Sequence, residues 1–458
     1  MKNQIFTKRS QIQAPLEEVF AWHCRPGAIQ RLNPPWEHLR MIRKDPGIED
    51  GAQSVFEIKG GPIPIYWHAR HFGYEENKIF KDVQEKGPFS FWEHTHIFEA
   101  HGKNACFMED RIKYRLPMSP LSQFFAGSFV ENKLNRMFDY RHKILQQDMF
   151  HLLNQKNKAL KIVISGSSGC IGSALIPFLT TQGHQVIRLV RKDTPLENEA
   201  KWDINANYID AKCFENADAV IHLAGEQIGN ERWSDAKKAK VMDSRVKGTK
   251  LIAKTIAKMD SPPPVLISAS AIGYYGDYGT KTVTEKDSPG DMFISEVCRE
   301  WEKSARAAVE KGIRVAFMRI GIVLTPAGAA LAKMLPAFQA GTGGIIGSGK
   351  QYMSWIAIDD IIGAIDHVLQ NDIRGPVNLT APNPVQNKKF IKCLAKTINR
   401  PAPIDLPPWF IKTLFGEMGK ELLLSGSKVI PEKLLRSGYK FHYQNLEEAL
   451  SHILGRKQ

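Results

Sequence analysis

Residues 161–172 read Lys-Ile-Val-Ile-Ser-Gly-Ser-Ser-Gly-Cys-Ile-Gly, and this stretch decides the fold of the larger part of the chain. Its apolar start predicts a buried parallel strand, and the residues after the last glycine predict a helix. In this arrangement the first glycine allows a tight turn, the second lets the backbone approach a pyrophosphate, and the third lets helix and strand pack closely. A phosphate would face the helix N-terminus, which favours a dinucleotide site over a glycine-rich turn without a ligand. The residues assigned to this site are Gly166, Ser168, Gly169, Ile171 and Gly172.

The end of the next predicted strand indicates which dinucleotide is bound. Residues 185–190 form a largely apolar run that leads into Arg191 and Lys192. NAD sites usually have an acidic residue at this strand end for the ribose hydroxyls, whereas a cation there suits a 2′-phosphate. A guanidinium binds phosphate through two parallel hydrogen bonds, so Arg191 favours NADP(H) as the cofactor. The alternative is a solvated cation at the end of a strand in a basic protein.

Composition limits the classes of protein to which the chain can belong. Its 458 residues predict two or three domains, because a single hydrophobic core rarely grows so large. The formal charge of +14 raises the question of nucleic acid or an anionic membrane surface, but the lysines and arginines are scattered. No apolar run approaches the roughly 20 residues of a membrane span, and the polar start Met1–Gln4 lacks the pattern of a signal peptide. We therefore expect neither a nucleic-acid partner nor an integral membrane segment.

Cysteine usage indicates the compartment. The six cysteines are widely spaced and include no Cys-x-x-Cys pair. This pattern is typical of reduced thiols rather than of a disulfide framework or a zinc site. The expected location is cytoplasmic.

Residues 1–155 have a different pattern from the rest of the chain. Alternating polar and apolar residues lead into a short helix, strand-like runs follow, and a long amphipathic helix from about residue 122 to residue 153 closes the segment. This order, with its opening Ile12–Phe20, resembles the START-like helix-grip fold of the SRPBCC, polyketide cyclase-like domains. The resemblance implies an α+β domain whose sheet encloses a cavity for an apolar ligand. A polar linker, Asn154–Lys158, separates this domain from the next.

Two histidines stand out within this first domain. His94 and His96 lie on the same side of a predicted strand, because side chains along a strand alternate with a period of two. They could bind a metal ion or bracket a polar ligand group, or they could be cavity or surface histidines without a ligand. The sequence offers no third ligand at a defined spacing, so no metal is assigned.

The remainder of the chain shares several longer strings with a known family. They are Gly225-Glu226, Arg232-Trp233, Ser244–Thr249, Gly344–Gly349, Trp355–Asp360, Leu422–Leu435 and Gly438–Phe441. With the glycine turn, these strings resemble the atypical, epimerase-like branch of the extended short-chain dehydrogenase/reductases, an NAD-dependent epimerase/dehydratase-like family with a characteristic C-terminal extension. Members that also carry an N-terminal START-like domain are similar to the whole chain.

The resemblance implies a Rossmann domain, a doubly wound parallel α/β sheet, over residues 160–385. NADP(H) would bind where the strand order reverses, and a helical extension would follow over residues 386–458. The resemblance also adds Leu223, Ala224 and Arg245 to the cofactor contacts. Arg245 lies on a predicted helix from which a guanidinium reaches a phosphate or ribose, and a surface cation is the alternative.

The sequence departs from this family at the expected catalytic residues. Extended reductases use a Ser or Thr with Tyr-x-x-x-Lys, in which the tyrosine exchanges a proton with the substrate and the lysine lowers the tyrosine pKa. Ser268 or Ser270 can supply the hydroxyl, and the alignment with the family is better at Ser270. Phe293 stands at the tyrosine position and Val297 at the lysine position, and neither side chain transfers a proton.

Three interpretations of this departure are open. Tyr274 or Tyr275, just past the strand end at Ser270, could act as the acid or base. The domain could instead bind NADP(H) without turnover, or hydride transfer could need no strong proton donor. The serine, the tyrosines and the glycine-rich loop 341–345 fall on the expected substrate side, which favours an enzyme. We predict an NADP(H)-dependent oxidoreductase or epimerase-like enzyme for a small carbonyl or hydroxyl compound. A non-catalytic NADP(H)-binding regulator or scaffold is the alternative.

Overall fold

A computed structural model describes residues 3–59, 63–117, 120–156 and 159–456. The chain divides into two compact units. The first consists of residues 1–158 with 180–183, and the second of residues 159–179 with 184–458. The division near residue 158 falls in the predicted polar linker. The predicted C-terminal extension, residues 386–458, lies in the second unit, so its status as a separate domain stays a prediction.

The first unit combines long strands with one long helix. Its strands are β1 (Gln4–Ile12), β2 (Leu39–Lys44), β3 (Gln53–Ile58), β4 (Ile65–Glu75), β5 (Ile79–Lys86), β6 (Phe91–Ala100) and β7 (Cys106–Arg115). Its helices are α1 (Leu16–Cys24), α2 (Ala28–Leu32) and α3 (Pro120–Leu153). The predicted long helix, from about residue 122 to residue 153, is therefore confirmed as α3.

Within the described residues, the strands of the first unit form one antiparallel sheet in the order β1-β7-β6-β5-β4-β3-β2. Alternation along β1 gives the sheet one inner face, since Phe6 and Ile12 are buried while Ile5, on the opposite face, is exposed. One core cluster joins Ile12 to Leu145 and Met149 of α3. The long helix therefore covers the inner face of this sheet.

The second unit alternates strands and helices. Its strands are β8 (Lys161–Ser165), β9 (Gln185–Val190), β10 (Glu199–Asp203), β11 (Tyr208–Ile209), β12 (Ala219–His222), β13 (Val265–Ala271), β14 (Thr282–Val283), β15 (Arg314–Ile320), β16 (Ile322–Leu324), β17 (Tyr352–Met353), β18 (Trp355–Ala357), β19 (Gly375–Leu379), β20 (Val385–Gln386) and β21 (Lys428–Val429). Its α-helices are α4 (Cys170–Thr181), α5 (Asp235–Ala257), α6 (Phe293–Lys303), α7 (Arg306–Glu310), α8 (Ala329–Gln339), α9 (Ile358–Gln370), α10 (Asn387–Ile398), α11 (Pro408–Gly419), α12 (Glu432–Arg436) and α13 (Leu446–Ile453). Two 3-10 turns (Ala211–Phe214, Ile272–Tyr275) and a π-helical turn (Lys420–Leu424) complete the described elements.

The main sheet of the second unit has the order β11-β10-β9-β8-β12-β13-β15-β19. All neighbouring pairs are parallel except β10 and β11. The central strands β8 and β12 are buried almost throughout, as expected for a parallel sheet covered on both faces. The predicted parallel α/β sheet is confirmed. Its strand order reverses between β8 and β12, and ligands of such sheets bind in the crevice at that point.

The described part of the C-terminal region is mainly helical. β21 pairs in parallel with β14, so residues 428–429 extend a small sheet that begins at Thr282. Within the described residues, no helix is both long enough and apolar enough to cross a membrane. The six cysteines form no disulfide with one another.

Candidate functional site

The glycine turn lies between β8 and α4, at the point where the strand order reverses. Gly166 has a φ of +74°, and a Cβ there would lie 2.7 Å from the backbone nitrogen of Ala224. A Cβ on Gly172 would lie 2.3 Å from the carbonyl oxygen of Gly166. Only glycine therefore lets the turn pack against the end of β12 and against the first turn of α4. Ser168 and Gly169 are exposed beside the first helical amides, which have no acceptor within the helix and suit a phosphate.

Three cations lie near the end of β9, and they differ in their partners. Arg188 is 2.8 Å from Glu199, and Lys192 also forms an ion pair with that carboxylate. Desolvation opposes ionisation of Glu199, but Lys192, a backbone amide and Arg188 outweigh it and hold its pKa below the usual value. Arg191 is exposed and has no ion pair within the described residues. Arg191 is therefore the cation of this strand end that is available to a 2′-phosphate.

The predicted contacts after β12 lie beside the turn. Leu223 and Ala224 are half-buried there. Arg245, on α5, donates from Nη1 to the carbonyl oxygens of Glu226 at 3.0 Å and Val241 at 3.1 Å. The guanidinium therefore fixes the loop that follows β12, and its direct contact with a cofactor stays a prediction.

A buried histidine links the two strands that flank this crevice. Nδ1 of His222, on β12, lies 2.6 Å from the hydroxyl oxygen of Ser165 on β8. Burial lowers the pKa of His222 to about 4, so its ring is neutral at neutral pH. The contact positions the ends of β8 and β12 from within the sheet.

Ser270, a predicted catalytic residue, lies in a buried polar network. Its hydroxyl donates to Oε1 of Glu302 at 2.7 Å. Glu302 also accepts two hydrogen bonds from the guanidinium of Arg319, at 2.8 and 2.9 Å. The side chains of Arg319 and Glu302 are only 4% and 13% exposed, so this is a buried ion pair. We call Ser270, Tyr275, Glu302, Arg319 and Asn378 the Glu302 network.

Tyr275 completes this network and is fully buried. Its hydroxyl donates to Oδ1 of Asn378 at 2.7 Å and accepts from Nη1 of Arg319 at 3.0 Å. Burial outweighs the nearby Arg319 and raises the pKa of Tyr275 to about 12. This geometry makes the hydroxyl a structural link and does not favour the predicted proton transfer by Tyr275.

Tyr274 differs from its neighbour. It is half-buried, and Cζ of Arg319 lies 3.4 Å from the centroid of its ring. Its hydroxyl has no hydrogen bond within the described part of the chain. Of the three predicted catalytic residues, Tyr274 is thus the one whose hydroxyl is uncommitted.

The residues at the family's tyrosine and lysine positions lie on α6 and pack against their surroundings. Val297 is fully buried, and the ring of Phe293 has its centroid 5.1 Å from that of Trp233. The first two backbone amides of α6 donate to the carboxylate of Glu421, at 3.1 and 3.0 Å. A carboxylate at this position stabilises a helix N-terminus. The C-terminal region therefore anchors the helix on which the catalytic pair was expected.

The glycine-rich loop 341–345 also contacts the C-terminal region. A Cβ on Gly344 would lie 1.7 Å from the carbonyl oxygen of Ile404. The backbone nitrogen of Ile404 donates to the carbonyl oxygen of Gly343 at 3.0 Å. Close backbone packing thus accounts for these glycines without a substrate.

The interior of the first unit contains a small cavity of about 10 Å³, room for about one water molecule, partly open to solvent. It is lined by Leu32, His96, Met108, Asp110, Arg141, His142 and Leu145. Charged and imidazole groups therefore share this lining with apolar side chains, whereas the predicted ligand of this domain is apolar.

Sequence reasoning missed Glu302, Arg319 and Asn378 of the Glu302 network, although one signal was present. Arg319 interrupts the apolar strand β15, and a cation inside such a strand requires a buried partner. The sequence does not identify the partner, because Glu302 comes from a helix that precedes the strand. Nothing in the sequence indicated that Glu421 accepts hydrogen bonds from the first amides of α6.

Comparisons with known proteins agree with this architecture. Residues 162–379 match the NAD dependent epimerase/dehydratase family, and residues 406–453 match a domain of unknown function, DUF1731. An epimerase family protein of Mycobacterium bovis is 40% identical over 296 residues, which cover 64% of this chain and 98% of that protein.

Two solved structures are also similar. A nucleoside-diphosphate sugar epimerase from Corynebacterium glutamicum aligns with a TM-score of 0.82 and 32% identity, over 98% of this chain and 90% of that one. The human epimerase family protein SDR39U1, solved with NADPH, aligns with a TM-score of 0.60 and 34% identity, over 64% of this chain and 99% of that one. The chain therefore belongs to the NAD dependent epimerase/dehydratase family.

Proposed function

We propose that the second unit binds NADP(H) and carries out oxidoreduction, or an epimerase-like redox reaction, on a small carbonyl or hydroxyl compound. The observation that carries the cofactor choice is the free guanidinium of Arg191 at the end of β9, beside two cations that Glu199 already pairs. The glycine turn fits a dinucleotide, because Gly166 and Gly172 leave no room for a Cβ. The human relative solved with NADPH supports the same choice.

The cofactor would supply or accept a hydride. The residues of this chain would bind the cofactor, orient the substrate and donate a proton to its carbonyl oxygen. The predicted cofactor contacts are Gly166, Ser168, Gly169, Ile171, Gly172, Arg191, Leu223, Ala224 and Arg245. Tyr274 is the preferred proton donor to a carbonyl oxygen, since its hydroxyl is uncommitted and Arg319 stacks on its ring. Ser270 and Tyr275 are proposed to position it from the buried side, through Glu302 and Arg319.

A non-catalytic NADP(H)-binding regulator is the second candidate function. It is favoured by two specific observations: Phe293 and Val297 pack at the positions of the usual catalytic pair, and the hydroxyls of Ser270 and Tyr275 are bound within the Glu302 network. The two candidates share the cofactor site and differ only in turnover.

Calorimetric titration tests the cofactor choice. Arg191→Ala should weaken NADPH binding about thirtyfold, because one charge-assisted contact is worth roughly 2 kcal/mol, and should leave NADH binding unchanged. Lys192→Ala is the matched control, since its ammonium is already paired with Glu199 and should change NADPH affinity little. Equal affinity of the wild type for NADPH and NADH would overturn the assignment.

Single-turnover oxidation of NADPH with a panel of small carbonyl compounds separates the enzyme from the regulator. If Tyr274 is the proton donor, Tyr274→Phe should slow the reaction by about 10²–10⁴-fold while NADPH still binds. The regulator becomes the better proposal if the wild type binds NADPH but oxidises it with none of these compounds. An unchanged rate in Tyr274→Phe would instead reject Tyr274 as the donor.

For the first unit, we propose a START-like helix-grip ligand module over residues 1–155, followed by the Rossmann domain over residues 160–385 and the extension over residues 386–458. The antiparallel sheet and the long helix α3 support this proposal. The predicted ligand is apolar. A fluorescent apolar probe should then bind the full chain with saturable stoichiometry, and Leu145→Arg, which replaces an apolar residue of the lining by a cation, should weaken that binding. Probe binding that never saturates would argue against a ligand module.

A further inference from the structure

The inner face of the first sheet carries a cluster of titratable side chains, three of which (His96, Asp110 and His142) also line the cavity of this unit. Asp82 on β5 pairs across the strands with His94 on β6, and His96 on β6 pairs with Asp110 on β7. Residues paired in this way point to the same face of a sheet and have neighbouring Cβ atoms. His142 joins them from α3, with Nε2 hydrogen-bonded to Oδ2 of Asp110 at 2.6 Å. We call these five residues the imidazole–carboxylate cluster.

The two carboxylates lie on opposite sides of the paired imidazoles. Oδ2 of Asp82 is 3.3 Å from Nδ1 of His94 and 3.9 Å from Nε2 of His96. Oδ1 of Asp110 is hydrogen-bonded to Nε2 of His94 at 2.9 Å and lies 2.7 Å from Nδ1 of His96, a contact without hydrogen-bond geometry. Each ring therefore directs one nitrogen towards Asp82 and the other towards Asp110.

The spacing on the Asp82 side suits a metal ion. One donor atom each from Asp82, His94 and His96 lie within 4.8 Å of one another. A tetrahedral ion with bonds of about 2.0–2.2 Å to nitrogen and oxygen holds its ligands about 3.4 Å apart. The measured separations from Asp82, 3.3 and 3.9 Å, lie close to that value, so small side-chain rotations bring the donors into coordination.

Asp110 occupies the position that a supporting carboxylate takes in metal sites. A histidine that binds a metal through one nitrogen usually donates its other N–H to a carboxylate, which fixes the ring's orientation. His142 is itself held by Ser10, whose hydroxyl oxygen lies 2.8 Å from Nδ1. The support thus extends from the sheet to α3.

The surroundings of the cluster are incompletely paired. Nε2 of His23, Nδ1 of His71 and Nε of Arg141 are buried and have no hydrogen-bond partner within the described residues. Unpaired buried polar atoms are costly, and in native proteins they often mark an ion or water that completes the site. The side chain of Asp82 is 16% exposed, which gives a route from solvent.

We propose that Asp82, His94 and His96 bind one divalent transition-metal ion, with Asp110 and His142 positioning the two imidazoles. Two nitrogens and one carboxylate oxygen suit zinc and neighbouring first-row ions, whereas calcium and magnesium prefer all-oxygen sites. Three protein ligands leave a coordination position open, as in metal sites that bind water or a substrate group rather than in closed structural sites.

Cobalt(II) titration of the full chain, first stripped with a chelator, tests this site. The wild type should develop ligand-field absorption that saturates at one ion per chain and is displaced by zinc but not by magnesium. Asp110→Asn should weaken binding about 10–100-fold, the usual cost of losing a supporting carboxylate, and Asp82→Asn should weaken it at least as much. His38→Ala removes an exposed histidine outside the cluster and should bind cobalt like the wild type.

Circular dichroism verifies that each variant is folded. If Asp82→Asn does not fold, electron paramagnetic resonance of copper(II) bound to the wild type decides, because the two imidazoles should give hyperfine coupling to two nitrogens. The proposal is overturned if the wild type shows no saturable cobalt binding, if Asp82→Asn is folded and binds as tightly as the wild type, or if the copper spectrum lacks coupling to two nitrogens.

Discussion

Each of the two units buries a cluster of polar and charged side chains, and the clusters differ in how completely their members are paired. In the Glu302 network of the second unit, Arg319 bonds both carboxylate oxygens, and the hydroxyl of Tyr275 both donates and accepts. Around the imidazole–carboxylate cluster of the first unit, buried nitrogens of His23 and His71 have no partner among the described residues. A fully paired network fixes the elements that carry it, whereas an incompletely paired one has capacity for a ligand.

The same contrast holds for single imidazoles. Burial lowers the pKa of His222 in the second unit to about 4, since its recorded partner is a hydroxyl. Burial also opposes the charged form of His94 in the first unit, but Asp110 and Asp82 outweigh it and raise its pKa to about 9. His96 lies beside the same two carboxylates, but burial and the nearby His94 lower its pKa to about 3, so within this pair the proton resides on His94.

The largest expected effect comes from breaking the paired network. Glu302→Gln leaves the guanidinium of Arg319 buried without its counter-charge, which should cost about 3–5 kcal/mol of unfolding free energy. Glu310→Gln is the matched control, because its partner Arg306 is 75% exposed and surface pairs contribute below about 1 kcal/mol. Urea unfolding of both variants measures the difference. Equal losses would show that the Glu302 network does not hold the second unit together.

The next effect concerns pH. The folded-state pKa of His222, about 4, is lower than its unfolded value of 6.5, so the unfolded chain binds the extra proton between these values. Stability should therefore fall as pH drops from 6.5 to 4, by about 3 kcal/mol in total at roughly 1.4 kcal/mol for each pKa unit. His222→Asn keeps a hydrogen-bonding partner for Ser165 but does not titrate. Its unfolding free energy should lack this part of the acid-induced loss, and identical pH profiles for wild type and variant would contradict the prediction.

A metal ion should stabilise the folded protein only through the imidazole–carboxylate cluster. Zinc at a hundredfold excess over its dissociation constant should raise the unfolding free energy of the wild type by about 2.7 kcal/mol, because it binds the folded state. Thermal unfolding with and without zinc measures this effect. Asp82→Asn should lose the response while Glu302→Gln keeps it, since the latter change lies in the other unit. A response retained in Asp82→Asn would place the ion elsewhere.

The contrast also explains what the sequence could predict. Glycine spacing and strand periodicity are local, and from them the strand Gln185–Val190 and the turn at Gly166 were predicted correctly. The sequence could not predict Asp82 as a third metal ligand, because Asp82 comes close to His94 only through the pairing of β5 with β6. Sequence spacing likewise placed Ser270 and Tyr275 beside a substrate, but it could not show that Glu302 and Asn378 bind their hydroxyls.

The smallest expected effect separates two adjacent tyrosines. Tyr275→Phe removes a hydroxyl that Asn378 and Arg319 both contact, and leaving such buried groups short of a partner costs about 1–3 kcal/mol. Tyr274→Phe removes a hydroxyl that has no hydrogen-bond partner in the described chain, and it should change stability by less than about 0.5 kcal/mol.

The two variants should rank in the opposite order for turnover. Tyr274→Phe should reduce the rate of NADPH oxidation more than Tyr275→Phe does, although it changes stability less. Urea unfolding and single-turnover rates, measured on the same two preparations, give both quantities. NADPH affinity serves as the control for an intact cofactor site in each variant. If Tyr275→Phe keeps full stability but loses turnover, the hydroxyl of Tyr275 acts in the chemistry and the Glu302 network is part of the catalytic machinery rather than its support.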